Sequence, residues 1–196
     1  MGIKINLGSG FKRYEGFVNL DDDPLVEPDF LINLDDVNIK LPFEDNSVEE
    51  IKAEHILEHI GDGFIPLMQE LYRVSEHGCI FDIIVPHHFH EVYYGDPTHK
   101  RPITVNSMYL FSKSYCKKQQ ELYNSCSGMS GKFNIDFEMS YYEFEYDDFY
   151  KPMILDFLKR KEEGNVSQEE DFAIQRLCRE ANNVVINTII KMVAVK

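Results

Sequence analysis

Residues 3–21 contain the pattern that most restricts the fold of this chain. An apolar run, IKINL at residues 3–7, leads into a turn, GSG at residues 8–10, and a second apolar run, FVNLD, ends on Asp21. This order is typical of α/β folds that bind a nucleoside, because glycines let the backbone approach a ligand and a carboxylate can accept from ribose hydroxyls. The segment therefore predicts two strands with a ligand at the turn between them.

The spacing distinguishes this turn from a dinucleotide site. The dinucleotide motif needs a third glycine three residues after the second, whereas Gly10 is followed by Phe11, Lys12 and Arg13. Asp21 comes 11 residues after Gly10, but the dinucleotide pattern places its acid about 20 residues further on. A tight turn in an ordinary α/β domain is the alternative, and this segment alone leaves it open.

Further segments follow in a recognisable order. They are LPFEDNS at residues 41–47, AEHILEHI at 53–60, ELYRV at 70–74 and an apolar run ending in IIVP at residue 86. Together with INLGSG and GFVNLD, they resemble the class I, Rossmann-like S-adenosylmethionine-dependent methyltransferases over residues 3–110. Within that family the chain is most similar to the broad group that acts on small molecules and sugars.

The resemblance implies an α/β fold with a Rossmann-like class I methyltransferase sheet, mostly parallel with an antiparallel last strand, and helices on both faces. We expect one domain over residues 1–196, with a cofactor-binding half at 1–110 and an acceptor-side half at 111–196 that holds the C-terminal strands and a helical insertion. Helical spacing of apolar residues predicts a helix over residues 64–74, and alternation predicts a final strand over 184–194. A further helix is expected over residues 106–123.

The resemblance also implies S-adenosylmethionine as cofactor and S-adenosylhomocysteine as product. Asp21 would hold the ribose, a polar residue among Asn33, Asp35 and Asp36 would read the adenine, and His55 would lie beside the reactive methyl group. Asn6 stands where the family usually has an acid that holds the methionine amino group, and an asparagine brings no charge there. The expected cofactor contacts are Asn6, Leu7, Gly8, Ser9, Gly10, Asp21, Asn33, Leu34, Asp35 and His55.

Three histidines, His55, His88 and His99, are candidate catalytic bases. A base is needed only if the acceptor is a hydroxyl, and imidazole titrates near neutral pH. His88 and His99 lie in the loop of residues 86–104, which by resemblance borders the acceptor; capping roles and metal binding are its alternatives. The order HILEH at residues 55–59 differs from the zinc motif HExxH, so we expect no metal.

The sequence thus predicts an S-adenosylmethionine-dependent methyltransferase acting on a small polar molecule or a sugar, with oxygen as the acceptor atom. The alternatives are a protein or peptide methyltransferase and a catalytically inactive S-adenosylmethionine-binding module. Four cysteines without CxxC spacing indicate reduced thiols and a cytoplasmic protein. No apolar run reaches the ~20 residues of a membrane span, so no membrane partner is expected; a homodimer is compatible with the sequence.

We predict no useful affinity for DNA or RNA. The chain has 20 Lys and Arg against 34 Asp and Glu, a net charge of −14, and a phosphate backbone is bound through basic side chains. The protein should pass unretained through a nucleic-acid column at physiological ionic strength. Retention that falls steeply as salt is raised would contradict this.

Overall fold

In the computed structural model, which describes residues 2–122 and 126–196, seven strands form one sheet. The strands are β1 (Ile3–Leu7), β2 (Val18–Asp21), β3 (Phe30–Leu31), β4 (Val48–Glu54), β5 (Ser75–Pro86), β6 (Phe137–Tyr146) and β7 (Val185–Ala194). Their spatial order is β3-β2-β1-β4-β5-β7-β6, and β7 runs antiparallel to both of its neighbours. The Rossmann-like class I fold with an antiparallel last strand is thereby confirmed.

The helices are distributed unevenly along the chain. They are α1 (Phe64–Val74), α2 (Glu91–Gly95), α3 (Val105–Tyr109), α4 (Lys113–Glu121), α5 (Met129–Phe133), α6 (Lys151–Glu162) and α7 (Gln168–Glu180), with 3-10 turns at Pro24–Val26 and Leu57–His59. Helix α1 has the predicted limits, because Leu67, Leu71 and Val74 recur at helical spacing and are buried against the sheet. Every helix within the described residues falls short of what crossing a membrane requires.

The helix predicted over residues 106–123 is wrong in its extent. Helix α3 ends at Tyr109, and α4 begins after Ser112, whose hydroxyl accepts from the Tyr115 amide and caps the new helix. Phe111 is 2 % exposed in the break, so the chain turns there to bury its ring. Residue Tyr123, the last of the predicted helix, lies outside the described residues.

The core fixes the edge of the sheet at which a ligand could bind. Ile5 and Leu7 of β1, Ile51 of β4 and Phe81 and Ile83 of β5 have no exposed surface. Burial of such side chains stabilises a fold by about 1.5–3 kcal/mol each. The parallel strands β1, β2, β4 and β5 therefore end together at one rigid edge, the edge at which open α/β sheets bind ligands.

Candidate functional site

The turn after β1 contains two glycines in the left-handed conformation. Gly8 has φ 58° and Gly10 has φ 50°, values that glycine adopts without steric cost. A Cβ on Gly8 would lie 2.5 Å from the Ile56 side chain, so the turn packs directly on the segment after β4. A Cβ on Gly10 would meet no atom within 4 Å. The turn is thus closed on one side and open on the other.

Asp21, at the end of β2, faces this turn. Its Oδ2 accepts from the Gly10 amide at 2.8 Å and its Oδ1 accepts from the Asp23 amide at 3.0 Å. A carboxylate offers about four acceptor positions, so positions for further donors remain on both oxygens. Backbone amides hold this carboxylate in place, and it can still accept hydrogen bonds from the hydroxyl groups of a ligand.

A cavity of about 730 Å³, which we call the β2 cavity, opens between Asp21 and the segments after β3 and β4. Its lining includes Asp21, Ile32, Asn33, Leu34, Ile56 and Ile60. Acidic side chains, Asp21 among them, and aliphatic side chains therefore line the same cavity, together with His59 and Lys100. Such a lining suits a ligand with a hydroxylated part and a flat, largely apolar ring.

A second cavity of about 340 Å³, the β1 cavity, adjoins the first because Gly8 lines both. Lys12 forms a salt bridge with Glu54 here, and the Tyr14 hydroxyl donates to the same carboxylate. Burial alone would raise the pKa of Glu54, but the hydrogen bonds from Lys12 and Tyr14 outweigh it and lower that pKa. The Ser9 hydroxyl is buried and has no hydrogen-bond partner among the described residues.

Two predicted contacts, Asn6 and Leu7, use their side chains mainly within the protein itself. The Asn6 amide donates both of its hydrogens inside the protein, to the Lys12 carbonyl at 2.9 Å and to Asn19 Oδ1 at 3.0 Å. Only its oxygen remains for a ligand. Leu7 has no exposed surface, so its side chain belongs to the core and only its backbone can reach a ligand.

The predicted adenine readers after β3 are largely engaged within the protein. Asp35 Oδ1 accepts from the amides of Gly61 and Gly63, both at 2.8 Å, and its Oδ2 accepts from Lys100 at 2.5 Å. Asp36 accepts from the Asn38 amide and does not line the β2 cavity. Asn33 lines the cavity and is exposed, which makes it the better placed of the three candidates.

A third cavity of about 560 Å³, the β4 cavity, lies over the ends of β4 and β5. His55 lines both this cavity and the β1 cavity, and His59 lines both this cavity and the β2 cavity. His55 has φ 52°, a conformation that costs a non-glycine residue about 1–3 kcal/mol and recurs at functional sites. Its amide donates to the Ile84 carbonyl at 2.8 Å, which holds the strained residue in place.

Glu58 is a site residue for which sequence reasoning found no role. Its side chain has no exposed surface, and neither carboxylate oxygen has a hydrogen-bond partner among the described residues. His55 Nδ1 lies 3.5 Å from Oε1, longer than a good hydrogen bond. The only signal in the sequence is the pattern HILEH at residues 55–59, which does not reveal that the carboxylate is buried.

His99 and His88 lie in different cavities. His99 lines the β4 cavity with His55, whereas His88 lines a cavity of about 700 Å³ together with Phe144 and Thr188. Phe144 and Thr188 project from the opposite face of the sheet to their neighbours Glu145 and Asn187, which line the β1 cavity. The structure therefore brings His55 and His99 together and separates His88 from them. Burial lowers the pKa of His88 and lowers that of its neighbour His87 to about 4.

No protein-family model matches this chain, and no curated protein matches it either. Solved structures match it in fold. A SAM-dependent methyltransferase from Archaeoglobus fulgidus aligns with a TM-score of 0.61 at 14% identity, over 98% of this chain and 86% of that one. The YcgJ protein from Bacillus subtilis aligns with a TM-score of 0.55 at 13% identity, over 100% and 92% of the two chains.

A third solved structure with this fold is named for a reaction other than methyl transfer. The [4+2]-cyclase SpnF aligns with a TM-score of 0.52 at 13% identity, over 99% of this chain and 75% of that one. At these identities the three likenesses establish the architecture alone. The activity must be argued from the site itself.

We predict that Asp35→Asn destabilises the protein in a pH-dependent way. Burial would raise the pKa of Asp35, but the hydrogen bonds from Lys100, Gly63 and Gly61 lower it. A carboxyl group whose pKa is lower in the folded protein stabilises the fold above its unfolded pKa, and that stabilisation is lost as the pH falls through the folded value. Urea unfolding at pH 7 should show a loss of about 1–3 kcal/mol.

The difference between wild type and Asp35→Asn should shrink below about pH 4, the ordinary range of an aspartate. Asp36→Asn, at an exposed neighbour, is the control and should be near neutral. A loss of equal size at pH 7 and at pH 3, or an equal loss in the control, would contradict the anchoring role of Asp35.

Proposed function

We propose that this chain is an S-adenosylmethionine-dependent methyltransferase that methylates an oxygen of a small polar molecule or sugar. The observation that carries the proposal is the pair of cavities that adjoin at Gly8. One has the lining expected for a nucleoside and the other has the charges expected for an amino acid. S-adenosylmethionine joins these two parts in one molecule and, when bound, supplies an activated methyl group.

The β2 cavity would take the adenosine. Asp21 has free acceptor positions for the two ribose hydroxyls, and the preceding turn has space at Gly10 for a ligand to approach the backbone. Leu34 and Ile32 would pack against the base. Asn33 offers a polar group beside them that can bond the edge of a purine.

The β1 cavity would take the amino-acid end. A zwitterion needs a cation for its carboxylate and an anion for its ammonium, and Lys12 and Glu54 provide this pair. The buried, unpartnered Ser9 hydroxyl adds a donor at the same place. Glu54 thereby supplies the negative charge that Asn6 lacks. Binding would exchange the Lys12–Glu54 salt bridge for contacts with the ligand.

The β4 cavity would take the acceptor. Its volume of about 560 Å³ falls within the range of about 300–1,000 Å³ typical of small-molecule sites. His55 and His99 line it, and His55 is the candidate base for a hydroxyl acceptor. His88 has no such role in this proposal, since it lines another cavity. For the rest of the methyl transfer, the protein needs only to orient the two reactants and to keep water out of the site.

A cofactor-binding protein without methyl transfer is the second candidate. Two observations favour it: the uncharged Asn6, whose amide hydrogens are used inside the protein, and the shared fold of the [4+2]-cyclase SpnF. Both candidates require the cofactor to bind. They differ in turnover, which a methyl-release assay over a panel of small acceptors would measure.

We predict that Asp21→Ala weakens binding of S-adenosylhomocysteine by about 1.5–3 kcal/mol, the size expected for hydrogen bonds to a charged group. Isothermal titration calorimetry should show a Kd raised roughly 10- to 100-fold. Asp23→Ala is the matched control. It also removes one carboxylate, but Asp23 lies two residues further along the chain and lines neither cavity. Equal affinity in the Asp21 variant and wild type would remove Asp21 from the site.

We predict that His55→Asn lowers turnover by about 10²–10⁴-fold, the range for loss of a general base, while S-adenosylhomocysteine affinity changes far less. Asparagine tolerates the left-handed backbone at this position, so the variant tests the imidazole and not the fold. His88→Asn, in the cavity on the opposite face, should retain turnover. The base assignment fails if His55→Asn turns over like wild type or if both variants lose activity equally.

A further inference from the structure

Three potential metal ligands meet at the wall of the β4 cavity. One donor atom from each of Glu58, His59 and His99 lies within 4.8 Å of the donor atoms of the other two. The rings of His59 and His99 have centroids 4.6 Å apart and are tilted by 67°. Glu58 and His59 belong to the 3-10 turn after β4, and His99 comes from the segment after α2. Residues about forty positions apart thus present donors to one point.

Hydrogen bonds determine which imidazole nitrogens are free. His99 Nδ1 lies 2.6 Å from the Tyr93 carbonyl oxygen, which can only accept, so Nδ1 carries the hydrogen. Thr98 donates its single hydroxyl hydrogen to Asp96 Oδ1 at 2.6 Å, and therefore accepts from His59 Nδ1 at 2.9 Å. A metal-binding imidazole is neutral, and with Nδ1 protonated each ring then has its lone pair on Nε2. This arrangement matches the way proteins orient metal-binding histidines through a second hydrogen bond.

The third donor is a buried carboxylate without a partner. Both Glu58 oxygens are inaccessible and make no hydrogen bond within the described residues. A carboxylate that stays ionised when buried is paired, hydrogen-bonded or bound to a metal. His55 Nδ1 lies 3.5 Å from Oε1, too far for a good hydrogen bond. The environment of Glu58 therefore suits a metal ligand.

From this arrangement we infer that Glu58, His59 and His99 bind a divalent transition-metal ion, for which Zn²⁺ is the best match. Two imidazoles and one glutamate are a donor set of catalytic zinc sites, which leave one position for water or substrate. Imidazole does not suit Mg²⁺ or Ca²⁺, which prefer oxygen ligands. Bonds of about 2.0–2.2 Å place tetrahedral donors about 3.3 Å apart, so the side chains rotate towards one another when the ion binds.

The sequence pattern HILEH gives each residue a different role from those in HExxH. Here the glutamate itself is a ligand, the first histidine of the pattern, His55, is not, and the third ligand comes from His99. All three ligands line the β4 cavity, as His55 does, so a coordination position left open by the protein would be accessible from that cavity. An acceptor oxygen bound there would be held beside His55. Binding of an acceptor oxygen to the ion rests on the proposed function, whereas binding of the ion itself does not.

The test is Zn²⁺ binding by the untagged full chain after treatment with a chelator. Equilibrium dialysis should give one Zn²⁺ per chain and no binding of Mg²⁺ at the same concentration. Glu58→Gln and His99→Ala should each weaken Zn²⁺ binding more than 100-fold, and Thr98→Val, which frees the His59 ring, about 10- to 100-fold. His77→Ala is the control, because His77 is an exposed histidine near the other end of β5, and it should bind as wild type does.

The inference is overturned if the wild-type chain binds no Zn²⁺, if Glu58→Gln keeps wild-type affinity, or if His77→Ala loses as much as the ligand variants. Thr98 is exposed, so its variant remains informative even if Glu58→Gln does not fold. Titration of S-adenosylhomocysteine into the same preparations separates the two proposals. Cofactor binding without Zn²⁺ binding rejects the metal site alone, and the reverse result rejects the proposed function alone.

Discussion

The contact between Gly8 and Ile56 determines where a ligand can bind in this protein. Strand β1 leaves the sheet through a left-handed residue at Gly8, and the Ile56 side chain fills the space that a Cβ would occupy. The loops after β1 and β4 are therefore held together. Gly8 lines both the β1 and the β2 cavity, and His55, next to Ile56 in the chain, lines both the β1 and the β4 cavity.

A second set of contacts fixes the wall of the β4 cavity. The Glu58 carbonyl accepts from the amides of Lys100 and Arg101, and the Arg101 side chain donates to the Ile60 carbonyl. Lys100 also reaches Asp35, which binds the amides of Gly61 and Gly63. The segment that contains His99 is thus tied to the turn that contains Glu58. These backbone and ionic contacts explain how two distant parts of the chain present their side chains to one cavity.

The fold could be predicted from the sequence where local pattern and tertiary structure agree. The apolar run of β1, the periodicity of α1 and the alternation of β7 are local signals, and each element has nearly its predicted limits. The break at Ser112 could not be predicted, because burial of Phe111 decides it.

The candidate site was less predictable, because its decisive features are contacts between residues far apart in sequence. The engagement of Asp35 by Lys100, the burial of Glu58 and the position of His88 across the sheet all depend on packing. Asp21 and the glycine turn could be proposed from the sequence because strand, turn and acid follow one another directly in the chain.

If the cofactor binds as proposed, one ligand passes Gly8 and occupies both the β1 and β2 cavities. A crystal structure of the protein with S-adenosylhomocysteine tests it most directly. We expect the ribose hydroxyls at about 2.6–3.2 Å from the Asp21 carboxylate, the amino-acid end between Ser9 and Glu54, and the sulfur directed towards His55. A ligand bound elsewhere, or an Asp21 carboxylate that bonds only its own backbone in the complex, would contradict the account.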